Sequence, residues 1–212
     1  MMRYERKYRI EDASVQEVRE VLRVIPGSFQ VAYPDRWINS IYLDGPGFEA
    51  LQENLGGISQ REKYRIRWYG DLRQLVENPT LEKKIKNNQL GTKEHTDLPA
   101  IDLRRHLDLN TLLRQHTPIG PALQPVVIVR YLRSYLVSQD QLVRATIDRH
   151  LEYYPFNGPN PVWHNPMQDP AVVLEIKYDQ HIQERIDQIL QAIPFRLTKN
   201  SKFVSGLISN WQ

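Results

Sequence analysis

The chain has 212 residues, contains no cysteine and carries a formal net charge of +3. Its length allows one domain with a substantial core, predicted to span residues 1–212, and the lack of cysteine excludes disulfides, thiol catalysis and cysteine-ligated zinc. Because the net charge is small, a binding site for an anion must come from local clustering of cations. The sequence shows neither an apolar leader nor an apolar run of membrane-spanning length, which predicts a cytoplasmic protein.

Predicted strands outnumber predicted helices along the chain. A capping box at Ser14-Val15-Gln16-Glu17 opens the first helix, and Pro46 suits the first turn of the second. In chain order, the predicted elements are strand 3–10, a helix from residue 15, strand 37–44, a helix after residue 46, strands 61–70 and 80–87, a helical region 99–115, strands 125–137 and 141–150, a proline-rich loop 155–170, strand 171–178 and helix 180–193. This order favours an α+β fold around an antiparallel sheet or barrel over a doubly wound parallel sheet.

Cations alternate with large apolar side chains in the strand near residues 61–70. Lys63, Arg65 and Arg67 occupy every second position, and side chains at this spacing point to one face of a strand. The same spacing of charged or polar residues recurs at Arg3, Glu5, Lys7 and Arg9, at Glu82, Lys84 and Lys86, at Arg144, Thr146 and Asp148, and at Glu175 and Lys177. Several such strands predict a barrel with a polar and mostly basic interior, which fits a polyphosphate ligand.

A simpler explanation of a basic strand face is the solvated side of an edge strand, where cations prevent aggregation. That explanation would have to hold independently in every strand that shows the pattern, so an enclosed, ligand-binding face is favoured. Lys63, Lys86 and Lys177 are accordingly predicted to bind substrate.

Glu175 lies among basic residues in an otherwise apolar strand, where it forms either a cross-strand ion pair or a metal site. Mg²⁺ and Mn²⁺ require oxygen ligands and can bridge phosphates to a protein, which favours the metal role. Glu5 and Glu82 are weaker metal candidates by the same reasoning.

The segment from Thr198 to Gly206 is rich in lysine and serine. It predicts either a solvated turn or a group of side chains that grips a terminal phosphate, with Lys199 and Ser201 as substrate-binding candidates. The spacing of a P-loop is absent from the chain.

In their order and spacing, these segments resemble the catalytic domain of the VTC polyphosphate polymerases, a branch of the CYTH or triphosphate tunnel metalloenzyme superfamily. The resemblance covers nearly the whole chain. The segments that carry it are Tyr4–Tyr8, Ser40–Asp44, Lys63–Arg67, Glu82–Lys84, Tyr131–Arg133, Val143–Asp148, Leu174–Lys177 and Lys199–Phe203, followed by Gly206.

The resemblance implies an antiparallel eight-stranded β-barrel, the triphosphate tunnel, with helices packed outside. It also implies transfer of the γ-phosphate of ATP or another nucleoside triphosphate to a phosphate or polyphosphate acceptor, with Mn²⁺ or Mg²⁺ bound by Glu175. The phosphate-contacting wall would consist of Lys7, Arg65, Arg67, Lys84, Arg133, Arg144 and Lys202.

One departure from the family pattern bears on the reaction. The hydrolytic tunnel enzymes that the chain resembles begin with Glu-x-Glu-x-Lys, whereas Arg3, Glu5 and Lys7 occupy these positions here. The loss of the first carboxylate favours the polymerase branch. Two alternatives stay open, a metal-dependent triphosphatase in the same tunnel and a noncatalytic module that binds polyphosphate or related anions. Nucleic acid is not expected as a partner, because a duplex cannot reach charges that point inward.

Overall fold

The computed structural model describes residues 3–87, 90–105, 108–116, 123–158 and 160–208. The helices in these ranges are α1 (Val15–Val24), α2 (Glu49–Leu55), α3 (Leu109–His116), α4 (Gln183–Ala192, preceded by a 3-10 turn) and α5 (Lys202–Ile208). The strands are β1 (Arg3–Ile10), β2 (Gln30–Asp44), β3 (Gln60–Tyr69), β4 (Leu75–Val76), β5 (Thr80–Asn87), β6 (Leu90–Asp97), β7 (Ile101–Asp102), β8 (Gln124–Val137), β9 (Arg144–Asn157), β10 (Asn160–Pro161), β11 (Met167–Asp169) and β12 (Val172–Asp179). No described helix is long and apolar enough to cross a membrane.

The main sheet has the strand order β1-β12-β9-β8-β2-β3-β5-β6, and β10 and β11 pair with β9 outside this path. Antiparallel pairing joins β1 to β12, β12 to β9, β2 to β3, β3 to β5, and β5 to β6. The predicted α+β fold with an antiparallel sheet is therefore confirmed, and the path through the sheet has the predicted eight strands. Closure of this sheet into a tunnel stays a prediction.

Residue contacts divide the chain into two compact units. Unit 1 consists of residues 1–36, 131–151 and 169–200, and unit 2 consists of residues 37–130, 152–168 and 201–212. The long strands β2, β8 and β9 each contribute one end to unit 1 and the other end to unit 2. Neither unit is therefore a continuous segment of chain.

The core of unit 1 lies between the apolar face of its strands and helices α1 and α4. The predicted capping box is present: the Ser14 hydroxyl accepts a hydrogen bond from the Glu17 amide, and the Glu17 carboxylate accepts one from the Ser14 amide. Val18 and Leu22 of α1 are fully buried together with Ile176 of β12. The apolar side chains of β12 thus enter the core, which leaves the alternate positions, including Glu175, on the opposite face.

The core of unit 2 covers one face of β2, β3 and β5. Ile41, Ile66 and Leu81 are buried there against one another and their neighbours, and the charged residues of the same strands occupy the other face. Helix α5 packs closely in this unit because Gly206 has no side chain. A Cβ at that position would lie 2.6 Å from Cδ1 of Tyr153 and 3.1 Å from Cγ2 of Val127.

Two local predictions were wrong, and two elements were not predicted. The segment predicted as helix 99–115 contains β7, and α3 begins only at Leu109, where Asp108 accepts hydrogen bonds from the Thr111 amide and hydroxyl. The predicted loop 155–170 contains the end of β9 and the short strands β10 and β11, because short edge strands tolerate proline. Helix α5 forms where a turn was one of the two alternatives, and β6 was missed because polar residues occupy both of its faces.

Candidate active site

Unit 1 carries a cluster of three cations and three carboxylates on the face opposite its core. Glu175 is central, because its carboxylate lies 3.3 Å from Nζ of Lys7, 3.2 Å from Nζ of Lys177 and 3.2 Å from Nη2 of Arg133. The strand register explains this arrangement, since Lys7 of β1 pairs directly with Glu175 of β12. We call this group the Glu175 cluster; its members are Glu5, Lys7, Arg133, Asp148, Glu175 and Lys177.

The deepest part of the Glu175 cluster is a two-pronged ion pair between Arg133 and Asp148. Nε and Nη2 of Arg133 donate hydrogen bonds of 2.5 and 2.6 Å to the two carboxylate oxygens of Asp148, which has no exposed surface. Burial lowers the pKa of the guanidinium, but Asp148, Tyr131 and Glu175 raise it well above its ordinary value. Arg133 is therefore a permanently charged group whose fork fixes the orientation of the neighbouring Glu175.

Two other residues, Thr146 and Arg144, lie on this face of unit 1. Thr146 pairs with Glu175 and Arg144 pairs with Lys177 across β9 and β12. Arg144 is exposed, whereas Thr146 is buried, and within the described ranges its Oγ1 has no hydrogen-bond partner. Glu5 bridges the two lysines, with Nζ of Lys7 at 3.8 Å and Nζ of Lys177 at 3.5 Å.

Unit 2 carries a second group, in which cations outnumber carboxylates. Glu82 is 5% exposed and lies between two arginines. Arg65 Nε donates to it at 2.7 Å and Arg67 Nη1 lies 3.3 Å from it, while Arg65 also donates to the Tyr42 hydroxyl at 3.1 Å. We call this group the Glu82 cluster; its members are Tyr42, Arg65, Arg67, Glu82 and Lys93, whose Nζ lies 3.9 Å from the carboxylate.

A row of three lysines crosses β3, β5 and β6 next to the Glu82 cluster. Lys63 pairs in register with Lys84, and Lys84 pairs with Lys93. Residues paired in this way share one face of the sheet at a separation of about 5 Å, where like charges destabilise each other. This lysine row, Lys63, Lys84 and Lys93, places three like charges side by side on this face of unit 2.

Helix α5 brings Lys202 to unit 2. Its side chain is 8% exposed, and together with Arg65 and Arg67 it lowers the pKa of the buried Tyr42 phenol, although burial alone would raise that pKa. Ser201 lies directly before the helix and its hydroxyl accepts a hydrogen bond from Nζ of Lys63 at 3.0 Å.

The structure thus places the predicted site residues in two groups. Those in unit 1 are Glu5, Lys7, Arg133, Arg144, Glu175, Lys177 and Lys199; those in unit 2 are Lys63, Arg65, Arg67, Glu82, Lys84, Lys86, Ser201 and Lys202. Lys199 is exposed, and Lys86 pairs with Arg61 and Gly91 at the far end of the same row of strands. The side chain of Arg3 lies outside the described part of the structure, so its predicted effect stays a prediction.

Sequence reasoning missed Asp148, Tyr42 and Lys93 as site residues. Asp148 and Tyr42 stand in segments that carry the family resemblance, and their places in the alternating pattern of those strands were the available signal. Lys93 belongs to β6, whose polar faces gave no strand signal. The predicted mostly basic face is correct for unit 2, whereas the Glu175 cluster of unit 1 balances three cations with three carboxylates.

The side chains that could act as metal ligands limit the kind of metal site that the protein can form. Within the described residues, no three His, Asp or Glu side chains lie close enough together to hold one. A site made of protein ligands alone is therefore not supported. Mg²⁺ and similar ions are commonly held by one or two carboxylates together with substrate phosphates, and Glu175 with the neighbouring Glu5 fits that smaller requirement.

We expect Glu82 to make the stability of the protein depend on pH under acidic conditions. Burial raises the pKa of this carboxyl, but Arg65, Arg67 and Lys93 outweigh it and lower the pKa from 4.5 to about 2. Because the folded-state pKa is the lower one, the stabilisation of roughly 3 kcal/mol is complete above pH 4.5 and is lost as the pH falls towards 2. Urea unfolding from pH 7 to pH 2 should show this loss.

Glu82→Gln should remove most of that pH dependence and lower the free energy of unfolding at neutral pH. Glu20→Gln, which changes an exposed glutamate of α1, is the matched control and should retain the wild-type profile. An unaltered acid dependence in Glu82→Gln would contradict the assignment of Glu82 as the counterion of the two arginines.

Comparison with known proteins gives both a family match and structural matches. The VTC domain model matches residues 2–210. A candidate adenylyl cyclase from Hippeastrum, described as having a dominant triphosphatase activity, has a TM-score of 0.56 at 15% identity, covering 99% of this chain and 96% of the other. A candidate adenylate cyclase from Vibrio parahaemolyticus has a TM-score of 0.56 at 11% identity, covering 99% and 98%.

A third structure, a candidate adenylate cyclase from Bacillus halodurans, has a TM-score of 0.51 at 14% identity and covers 95% of this chain and 96% of the other. At these identities the likeness is one of fold, and it confirms the predicted fold class. Comparison with curated proteins gives no match.

Proposed function

The chain belongs to the VTC domain family, and from that membership we propose that it is a metal-dependent phosphotransferase. The substrate is ATP or another nucleoside triphosphate, and the acceptor is phosphate or polyphosphate. The observation that carries this proposal is the lysine row. Three lysines paired across three adjacent strands repel one another, and phosphates bound beside Lys84 and Lys93 would remove this cost. Lys63 already donates to Asn54 and Ser201.

The two arginines of the Glu82 cluster extend this phosphate-binding face. A guanidinium offers a planar fork that matches two phosphate oxygens, and each charge-assisted contact contributes about 1.5–3 kcal/mol. Arg65 and Arg67 are paired with Glu82, so they are held in place before ligand binds. Lys84 and Lys202 are the further phosphate-binding groups of unit 2 in this proposal.

In unit 1, Glu175 would hold Mn²⁺ or Mg²⁺ together with phosphate oxygens, with Glu5 as the second candidate ligand. Such an ion, when bound, neutralises charge on the transferring phosphoryl group. Lys7, Arg133 and Lys177 orient the Glu175 carboxylate through the contacts described above. Arg144 on the same face is proposed as a phosphate contact, and Lys199 as a weaker one.

Phosphoryl transfer asks the protein mainly for alignment and for neutralisation of charge. An oxygen of the acceptor phosphate attacks the γ-phosphorus, the bond from that phosphorus to the β–γ bridging oxygen breaks, and ADP leaves with that oxygen and its electron pair. Lys84, Lys93, Lys202 and the two arginines stabilise the negative charge of the donor and acceptor. No protein nucleophile is needed, which agrees with the absence of cysteine from the chain.

The second candidate function is hydrolysis of a triphosphate, with water in place of the acceptor phosphate. The triphosphatase activity named for the Hippeastrum protein of the same fold favours it. The third candidate is a noncatalytic binder of polyphosphate, for which the same lysine row would provide affinity without turnover.

We expect purified protein with ATP and Mn²⁺ or Mg²⁺ to produce ADP and phosphate chains that lengthen with time on a denaturing gel. Added pyrophosphate or short polyphosphate should accelerate ADP formation, because it supplies the acceptor. Release of orthophosphate alone, at a rate that does not respond to added polyphosphate, would instead identify a triphosphatase. Binding of tripolyphosphate without any turnover would identify the binder.

A further inference from the structure

Lys63, at one end of the lysine row, contacts two helices of unit 2. Its Nζ donates hydrogen bonds to Oδ1 of Asn54 at 2.8 Å and to Oγ of Ser201 at 3.0 Å. It also lies 5.1 Å from the centre of the Phe203 ring, within range of a cation–π contact. Lys63 of β3 therefore holds together α2, which contains Asn54, and the start of α5.

These contacts involve the residues on either side of Lys202, at the start of α5. Ser201 opens α5, because its carbonyl accepts from the Ser205 amide at 2.9 Å and its hydroxyl accepts from the Val204 amide at 3.4 Å. Lys63 thus binds the residue before Lys202 and the ring of the residue after it. The Phe203 ring in turn lies 5.3 Å from the Tyr42 ring.

Helix α5 has seven residues, and a helix of this length is marginal unless other contacts hold it. A cation near a helix N-terminus gains nothing from the helix dipole, which favours negative charge there. Lys63 stabilises this end of the helix through its bonds to the two oxygens and its contact with the ring. These contacts fix where α5 begins, and with it the direction of the Lys202 side chain.

We propose that Lys63 is a positioning residue that sets the place of Lys202 in the phosphate-binding face, and that it does not itself bind phosphate. This inference rests on the proposed function, since it assigns to Lys202 a phosphate contact. It differs from the sequence-based expectation for Lys63, which was direct binding of substrate.

A double-mutant cycle with inorganic tripolyphosphate, measured by calorimetry without metal, separates positioning from direct contact. The variants are Lys63→Met, Lys202→Met and the double variant. We expect each single change to weaken binding about tenfold. In the Lys202→Met background, Lys63→Met should weaken it less than twofold further, because there is no longer an ammonium to position.

Direct phosphate contact by Lys63 predicts the opposite result, in which the two losses multiply to about a hundredfold. Lys63→Arg keeps donors for both oxygens and should restore most of the affinity. Lys83→Met is the matched control for net charge, because Lys83 lies on the other face of β5 and pairs with Glu62; it should change binding less than twofold. Lys63→Gln replaces Lys63→Met in the cycle if the methionine variant does not fold.

The outcomes distinguish this inference from the proposed function. Tripolyphosphate binding by the wild-type protein with multiplying losses in the cycle would overturn the positioning role and leave the phosphate-binding function standing. Failure of the wild-type protein to bind tripolyphosphate at all would overturn both.

Discussion

Arg67→Met should lower the affinity of the protein for tripolyphosphate by about 10- to 150-fold, because one charge-assisted contact to phosphate contributes about 1.5–3 kcal/mol. Arg67 is the better test of the two arginines. Its Nη1 lies 3.3 Å from Glu82, whereas Arg65 makes the closer and doubled contact with that carboxylate. Isothermal calorimetry in metal-free buffer measures the change.

The same substitution should also lower stability in the absence of ligand. The alternation of cations alone suggests that removal of one of them leaves the melting temperature unchanged or raises it, because like charges on one face repel each other. Glu82 changes this expectation: without Arg67, a buried carboxylate loses part of its compensation, which is costly. Arg67→Met combined with Glu82→Gln should regain part of the lost stability.

The double variant Arg67→Met/Glu82→Gln is the control that separates the two roles of Arg67. It removes the uncompensated carboxylate but does not restore the guanidinium, so tripolyphosphate affinity should stay low while the urea midpoint recovers. Wild-type affinity in the double variant would mean that Arg67 serves only to neutralise Glu82.

The alternation of side chains between the two faces of a strand made the charged face predictable from the sequence. Lys63, Arg65 and Arg67 alternate with residues that enter the core, and this period of two holds whatever the strand pairs with. This alternation does not tell which residues of two neighbouring strands lie opposite each other. The position of Glu82 between two arginines depends on the alignment of β3 with β5, which is why sequence reasoning grouped Glu82 with the metal ligands.

Contacts made by α5 were the least predictable part of the site. Lys63 meets Ser201 at a separation of 138 residues, and no local pattern in β3 indicates this partner. The helix itself had a signal, because Ser201 is a favoured residue before a helix and Phe203 and Leu207 are four residues apart on one side of it. That signal was ambiguous in a short segment rich in lysine and serine.

The Glu175 cluster shows a further limit of what alternation along a strand can predict. Alternation placed Glu175 and Lys177 on one face and could not say whether the carboxylate would meet cations or a metal. The structure brings Lys7, Arg133 and Lys177 within 3.3 Å of it. An ion pair and a metal-ligand role are compatible if the ammonium groups move to phosphate oxygens when substrate and metal bind, and substitution of Glu175 tests this.

Glu175→Gln should lower metal-dependent turnover of ATP by at least about 100-fold, the upper end of what loss of a supporting group costs a metal site. The amide keeps the shape of the side chain and loses the charge that holds a divalent cation. Three cations then face a neutral group, so metal-free affinity for tripolyphosphate should stay equal or rise. Initial rates over a Mn²⁺ titration and calorimetry without metal measure the two effects separately.

Glu152→Gln is the control, because it makes the same change at a partly buried glutamate, whose carboxylate accepts a hydrogen bond from the Tyr154 hydroxyl at 2.7 Å. It should retain wild-type turnover. A general loss of structure in Glu175→Gln would lower turnover and tripolyphosphate binding together, whereas loss of a metal ligand lowers turnover alone. Unchanged turnover at equal Mn²⁺ would remove Glu175 from the site and leave Glu5 as the remaining carboxylate candidate in unit 1, since Asp148 is fully engaged by Arg133.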